Sequence, residues 1–176
     1  GCGMSGLSIA ADSLAAVKYA KVYPIYNKDA KTLEGHEYEY VEGADDDLIV
    51  GYRTEGEFPV YGNDDDRADD IAVWLLGKFL EKIKKRHTYR DSEPTTSILT
   101  ITSNVVYGKA TGSMPDGRKA GEPLSPGANP SYGAEKNGLL ASLNSTAKLP
   151  YHWALDGISN TQTINPGALG HNDEER

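Results

Sequence analysis

The chain has a single cysteine, Cys2, among 176 residues. One cysteine excludes an internal disulfide and a thiolate zinc site built from this chain alone. It fits a reducing, cytoplasmic setting. Long apolar runs are missing: no stretch approaches the ~20 apolar residues a membrane-spanning helix needs, which argues against a membrane partner. No basic start followed by an apolar stretch marks a secretory leader. Positive charge is short, with 18 Lys and Arg against 26 Asp and Glu and a net charge of −8. Such a surface repels phosphate backbones and argues against a nucleic-acid partner. The basic cluster Lys82, Lys84, Lys85 and Arg86 does not alter this, because it falls at the end of an expected helix, beside the negative pole of the dipole. An initiator Met is absent as well. The start at Gly1-Cys2-Gly3 and the stop at Asp173-Glu174-Glu175-Arg176 are expected to be cut points in a longer protein.

What is present suffices for one domain with a core. Leu7, Ala10, Ala11, Leu14 and Val17 recur at helical spacing and predict a helix over 7–20. A second, stronger helix is expected over 68–86, where Ala72, Leu75, Leu76, Phe79, Leu80 and Ile83 form one stripe and Gly77 falls on the polar side. Asp64, Asp65, Asp66, Asp69 and Asp70 crowd its positive end, and Glu81 and Lys85 form an i,i+4 pair. Between the helices, residues 25–61 interleave tyrosines with acidic residues and glycines. Alternation such as Tyr38-Glu39-Tyr40-Val41 predicts an exposed β-hairpin excursion. Residues 96–107 carry no charge and are rich in β-branched side chains, which predicts a buried strand. A long Gly- and Pro-rich loop is expected over 108–138, of a length usually functional or packed against something. Residues 142–148 are expected to start a helix or turn, and 157–165 a short strand.

Candidate chemistry is sparse. Cys2, ahead of a helix N-terminus, reads either as a nucleophile or as a small buried hydrophobe. The runs 45–47 and 64–66 lack the alternating ligand spacing and terminal bidentate Glu of a calcium loop, and read as solvated turn and dipole partner. His36, His87, His152 and His171 are scattered without metal-ligand spacing, so no metal site is expected. Pro115-Asp116-Gly117-Arg118 is more pointed. Its order suits a tight turn that fixes Arg118 in place. From there the planar guanidinium either binds a carboxylate or phosphate or pins the loop internally.

The stretch 99–130 carries a resemblance. Thr-Ile-Thr-Ser-Asn-Val-Val-Tyr-Gly, then Pro-Asp-Gly-Arg-Lys-Ala-Gly-Glu-Pro-Leu, then Pro-Gly-Ala-Asn-Pro resemble the glycyl radical enzymes, and the pyruvate formate-lyase branch in particular. Gly6-Leu7-Ser8, His87-Thr88-Tyr89-Arg90, Ala147-Lys148-Leu149-Pro150 and Asp156-Gly157-Ile158-Ser159 are similar too. The resemblance spans nearly the whole chain outside about 27–52, which looks like an inserted β-hairpin. It implies that 1–176 form a partial domain of the family's ten-stranded α/β barrel. It also implies the family reaction, in which pyruvate and CoA give acetyl-CoA and formate through glycyl and thiyl radicals, in anaerobic glucose fermentation. A separate iron–sulfur activase installs the radical, CoA is the co-substrate, and the parent enzyme is a homodimer. The family's adjacent Cys-Cys pair and its Arg-Val-Ser-Gly-Tyr-like radical segment do not occur in this sequence. The resemblance therefore implies no catalytic residue in this chain, no bound cofactor, a structural role for the loop Pro115, Asp116, Gly117 and Arg118, and no activity of the isolated chain. Other members of the superfamily, a keto-acid formate-lyase or a diol dehydratase, and a non-catalytic assembly module are the alternatives.

Overall fold

The computed structural model describes residues 1–32, 38, 40–100, 102–165, 167, 170 and 172. Its regular elements, in chain order, are β1 (Cys2–Gly3), α1 (Leu7–Tyr19), β2 (Lys21–Tyr26), α2 (Asn27–Ala30), β3 (Ile49–Glu55), α3 (Asp66–Lys84), β4 (Thr96–Ser97), α4 (Ser103–Lys109) and α5 (Gly138–Ala147). Helices α1 and α3 pack on one another through Leu7 and Ala11 on one side and Ala72 and Leu76 on the other. Alanines at the contact let the two backbones approach closely. Tyr61, Ile98, Ala128, Leu149 and Ala154 complete the core.

Both long helices form where apolar spacing predicts them, but they turn different faces inward. In α1 the buried residues include Ser8, Asp12 and Ser13, while Leu14 and Val17 stay exposed. The cause is that loop segments cover α1 there: Ser8 bonds to the Ser125 hydroxyl and Asp12 accepts from the Tyr61 amide. Helix α3 starts earlier than expected, at Asp66, because the Asp65 side chain accepts a hydrogen bond from the Arg67 amide (3.0 Å) and caps it. Gly77 is not on the wet side. A Cβ there would lie 3.0 Å from the Trp153 ring, so the glycine makes room for an indole.

Strands β1 and β4 pair in parallel, with Cys2 beside Thr96. Ile98 continues the pairing as a parallel bridge to Ile158. The pairing at Ile158 is all that forms of the strand expected over 157–165. The long strand expected over 96–107 is also cut short, since 103–109 are helical. Strand propensity loses here to tertiary bonding. The Asn104 side chain donates to the Leu124 carbonyl (2.8 Å), and the Asn104 carbonyl accepts from the Leu124 amide (3.1 Å), which holds Asn104 in a helical turn.

Strands β2 and β3 form an antiparallel ribbon, irregular at Ile25/Tyr26. The strands lie at the flanks of the tyrosine-rich region rather than at 38–41. Tyr38, Tyr40 and Val41 are outside any strand, and Glu39 lies outside the described residues. The ribbon is tied down. Thr54 Oγ1 donates to the Pro115 carbonyl (2.7 Å) and Ser113 Oγ to the Val50 carbonyl (3.0 Å).

Candidate functional site

The ribbon leans on the turn 115–118, so the site is built from there. The Gly117 amide donates to the Met114 carbonyl (3.1 Å), and the Met114 amide to the Arg118 carbonyl (2.8 Å). Gly117 has φ +101°, a conformation that favours glycine. The Asp116 carboxylate accepts from the Arg118 amide (3.3 Å).

The Arg118 side chain turns inward and is 7% exposed. Its guanidinium donates to four backbone carbonyls: Gly112 (2.7 Å), Thr111 (3.4 Å), Gly108 (2.7 Å) and Glu122. Gly108 and Thr111 flank the C-terminal end of α4, where carbonyls lack helical partners and a cation meets the negative pole of the dipole. Gly108 is needed for this closeness: a Cβ there would lie 2.2 Å from the Glu122 carbonyl oxygen and 2.7 Å from Pro123 Cα.

Beside Arg118 lies a cavity of about 400 Å³, lined by Asp12, Phe58, Asp116, Arg118, Ser131 and Lys136 among others. Asp12, from the middle of α1, is 2% exposed. It accepts from the Tyr61 amide (2.7 Å) and from Ser131 Oγ (3.3 Å). Burial pushes its carboxyl up to about 7; the Tyr61 amide works against this, and the Asp116 and Asp69 charges add to it. Burial raises Asp116 as well, opposed by the Arg118 amide. Two carboxyls on different segments thus face one cavity, each raised by burial.

A second polar centre joins α5 to α3. Lys148 Nζ lies 2.7 Å from Asp64, 2.7 Å from Asp66 and 2.8 Å from Asp69. Burial opposes the lysine's charge, but the three carboxylates prevail and raise its pKa. Asp69 is fully buried; burial raises its carboxyl, with Lys148 and Ser145 opposing.

The remaining candidates are dispersed. Cys2 is half-buried in β1, its amide bonded to the Thr95 carbonyl (2.7 Å). His87 is exposed beside Asp91 (3.4 Å), and His152 stacks edge-on to Trp153. His36 and His171 lie outside the described residues. In the 45–47 run, Asp47 pairs with Lys28 (2.9 Å) and Asp45 accepts from the Asp47 amide (3.1 Å). Among the described residues no group of three His, Cys, Asp or Glu is disposed to hold a metal ion. Sequence reasoning singled out neither Asp12 nor Lys148. For Asp12 a signal existed, since it is the one charged residue between 7 and 17.

A family profile described as Pyruvate formate lyase-like matches residues 1–108, and one described as Glycine radical matches residues 124–176. Formate acetyltransferase 1 of Escherichia coli is 54% identical over 175 residues, covering 99% of this chain and 21% of the relative. Formate acetyltransferase of Haemophilus influenzae is 53% identical over 173 residues, covering 98% of this chain and 22% of the relative. The chain therefore spans about a fifth of the length of the curated relatives it matches. Among solved structures, a glycyl radical enzyme from Archaeoglobus fulgidus superposes with a TM-score of 0.73 at 29% identity, over 98% of this chain and 22% of that one. Hydroxyproline dehydratase from Clostridioides difficile superposes with a TM-score of 0.63 at 27% identity, over 85% of this chain and 18% of that one.

Proposed function

The chain belongs to the pyruvate formate lyase-like family, and from that premise we propose that it is part of a formate acetyltransferase. The observation that carries the reading is the 54% identity to the Escherichia coli enzyme across 99% of the chain. That likeness far exceeds the 27% to the dehydratase, so it favours acyl transfer over dehydration. In this reading the parent protein cleaves pyruvate with CoA to acetyl-CoA and formate in the cytoplasm, during anaerobic glucose fermentation. It works as a homodimer, after an iron–sulfur activase has placed a radical on a glycine.

Residues 1–176 serve as a partial wall of the α/β barrel, with the stretch about 27–52 as a decoration on its outside. The turn Pro115, Asp116, Gly117 and Arg118 is a structural corner. Arg118 has its guanidinium engaged with backbone carbonyls, which supports pinning over anion binding. The reacting sulfurs and the radical glycine do not fit onto residues present here. Cys2 is the sole cysteine and the Arg-Val-Ser-Gly-Tyr pattern is absent. No step of the chemistry is assigned to this chain.

The test is a graft. The 176 residues replace the matching stretch of the Escherichia coli enzyme, and the purified chimera is treated with activase, pyruvate and CoA. Acetyl-CoA formation at a rate near the host's is expected. A folded chimera that carries the glycyl radical signal but makes no acetyl-CoA sinks the reading. The isolated chain, treated alike, is expected to make none.

A further inference from the structure

Helix α1 and the loop 116–131 are joined by a chain of oxygens, buried at Ser8, Asp12 and Ser125 and half-buried at Ser131. Ser8 Oγ donates to Ser125 Oγ at 2.6 Å. Ser8 Oγ also lies 3.1 Å from Ser131 Oγ. Ser131 Oγ lies 3.3 Å from Asp12 Oδ2. The other oxygen of Asp12 accepts the Tyr61 amide. Ser8, Asp12 and Ser125 are all at least 98% buried.

Counting protons along this chain gives a constraint. A hydroxyl has one proton to donate. That of Ser8 is committed to Ser125. If Asp12 is ionised, the proton of Ser131 must serve Asp12, and the Ser8 and Ser131 oxygens then face each other at 3.1 Å with no proton between them. If Asp12 is neutral, its own proton fills the gap to Ser131, and Ser131 donates onward to Ser8. Every contact is then a hydrogen bond. An unfilled contact is costly at Ser8, which is buried, even though Ser131 borders the cavity.

We propose that Asp12 is the proton-operated end of a latch that seats the loop 116–131 on α1: a neutral Asp12 closes it and an ionised Asp12 loosens it. The charged and titratable surroundings act in the same sense on balance. On the loop, Asp116 faces the same cavity and its charge opposes ionisation of Asp12, while Glu122 lines the cavity wall. Asp69, from α3, also adds negative charge. Arg118 and Lys136 line the cavity as cations, but the guanidinium of Arg118 is held by backbone carbonyls. Tyr61, the remaining titratable neighbour, has its hydroxyl at the Ala128 carbonyl (3.1 Å) and stays neutral. The cavity beside Asp12 gives water a place to enter when the loop lifts. The proposal stands independently of the family reading.

The test is amide hydrogen exchange on the full chain at pH 6 and pH 8, corrected for intrinsic rates. The probes are the Leu124 and Gly127 amides, bonded to the Asn104 and Thr100 carbonyls, with α3 amides as the reference. The loop amides are expected to lose about tenfold in protection between the two pH values, the equivalent of one pKa unit of coupling. The α3 amides, which report global unfolding, should lose less protection than the loop amides. Asp12→Asn, whose amide donates to Ser131 without titrating, should show no pH dependence. Should D12N not fold, Ser131→Ala serves: it breaks the chain at both pH values and should leave the loop poorly protected throughout. The latch is overturned if the folded D12N, or S131A in its place, keeps the pH dependence of the wild type. It is also overturned if α3 loses protection in step with the loop.

Discussion

Replacing Arg118 with methionine tests how the corner at 108–122 is held. The guanidinium serves three carbonyls closely, at Gly108, Gly112 and Glu122, and a fourth at 3.4 Å. Hydrogen bonds to a charged group contribute about 1.5–3 kcal/mol each, so three would sum to about 5–9 kcal/mol. That sum overshoots. Removing the cation also removes the cost of burying it, and carbonyls at the loop surface regain water. No buried charge is left behind, but each carbonyl left without a donor where water cannot reach it costs about 1–3 kcal/mol, so the expected cost of Arg118→Met is about 3–5 kcal/mol. Arg118→Lys keeps the charge at the end of α4 but has no planar fork, so it should fall between, at about 1–3 kcal/mol. Urea unfolding followed by circular dichroism measures both, with an unchanged m value as the sign that stability alone has moved. An R118M midpoint within error of the wild type would refute the account. An R118K variant as stable as the wild type would show that charge, not fork geometry, holds the corner.

Lys148→Met should cost about 3 kcal/mol near neutral pH, because it leaves fully buried Asp69 facing two carboxylates without their cation. The deficit should shrink as pH falls and the Asp69 carboxyl, raised by burial, takes a proton, which unfolding curves at pH 5 and pH 7.5 would resolve. For Asp12 the linkage runs the other way from an ordinary salt-bridged aspartate. Its folded-state pKa, about 7, exceeds the unfolded 3.8, so its contribution is complete below about pH 4 and is lost as pH rises to about 7. The shift of ~3 units corresponds to about 4 kcal/mol, and D12N should flatten that slope in a stability–pH profile. Val106, Leu140 and Trp74 are more than half exposed on α4, α5 and α3. The chain alone should therefore self-associate with rising concentration in sedimentation velocity, and a monodisperse monomer at high concentration would count against this.

The helices were the legible part of the sequence, since α1 and α3 follow the 3.6-residue spacing of Leu7, Ala11 and then Ala72, Leu76. Their inward faces were not legible, because a helix covered by loops buries Asp12 and Ser8 against backbone that no periodicity announces. The strand expected through 96–107 failed for a related reason. Val105 and Val106 favour extended backbone, but Asn104 grips Leu124 twenty residues away and imposes a helix. At the candidate site, the order Pro-Asp-Gly pointed to a tight turn, and Gly117 adopts the positive φ such a turn uses. The inward course of Arg118 depends on carbonyls brought together only by folding, and the residues alone left binding and pinning equal. The Lys148 centre was invisible, since its three partners lie about eighty positions upstream. The family resemblance, by contrast, was plain in 99–130, because motif order survives where contact geometry does not.

The loop 110–137 has no helix or strand, so each of its backbone groups removed from water needs a partner from elsewhere. Side chains with two-sided hydrogen-bonding capacity supply them. Asn104 donates to the Leu124 carbonyl. Asn63 donates to the Ala134 carbonyl (2.8 Å) and accepts from the Lys136 and Asn137 amides. Asn129, within the loop, donates to the Thr161 carbonyl (2.7 Å) and accepts the Thr161 amide (3.0 Å), which fastens the following segment. A carboxamide can do this because it offers donor and acceptor on one rigid plane. Arg118 does the same for four carbonyls with donors alone. The apolar core between α1 and α3 is thin and rich in alanine, so it fixes the helices and leaves the loop to these polar clamps. Such clamps are directional, and a loop held by them has one seating rather than many. In the proposed latch, a single proton at Asp12 then acts on one defined seating of this segment.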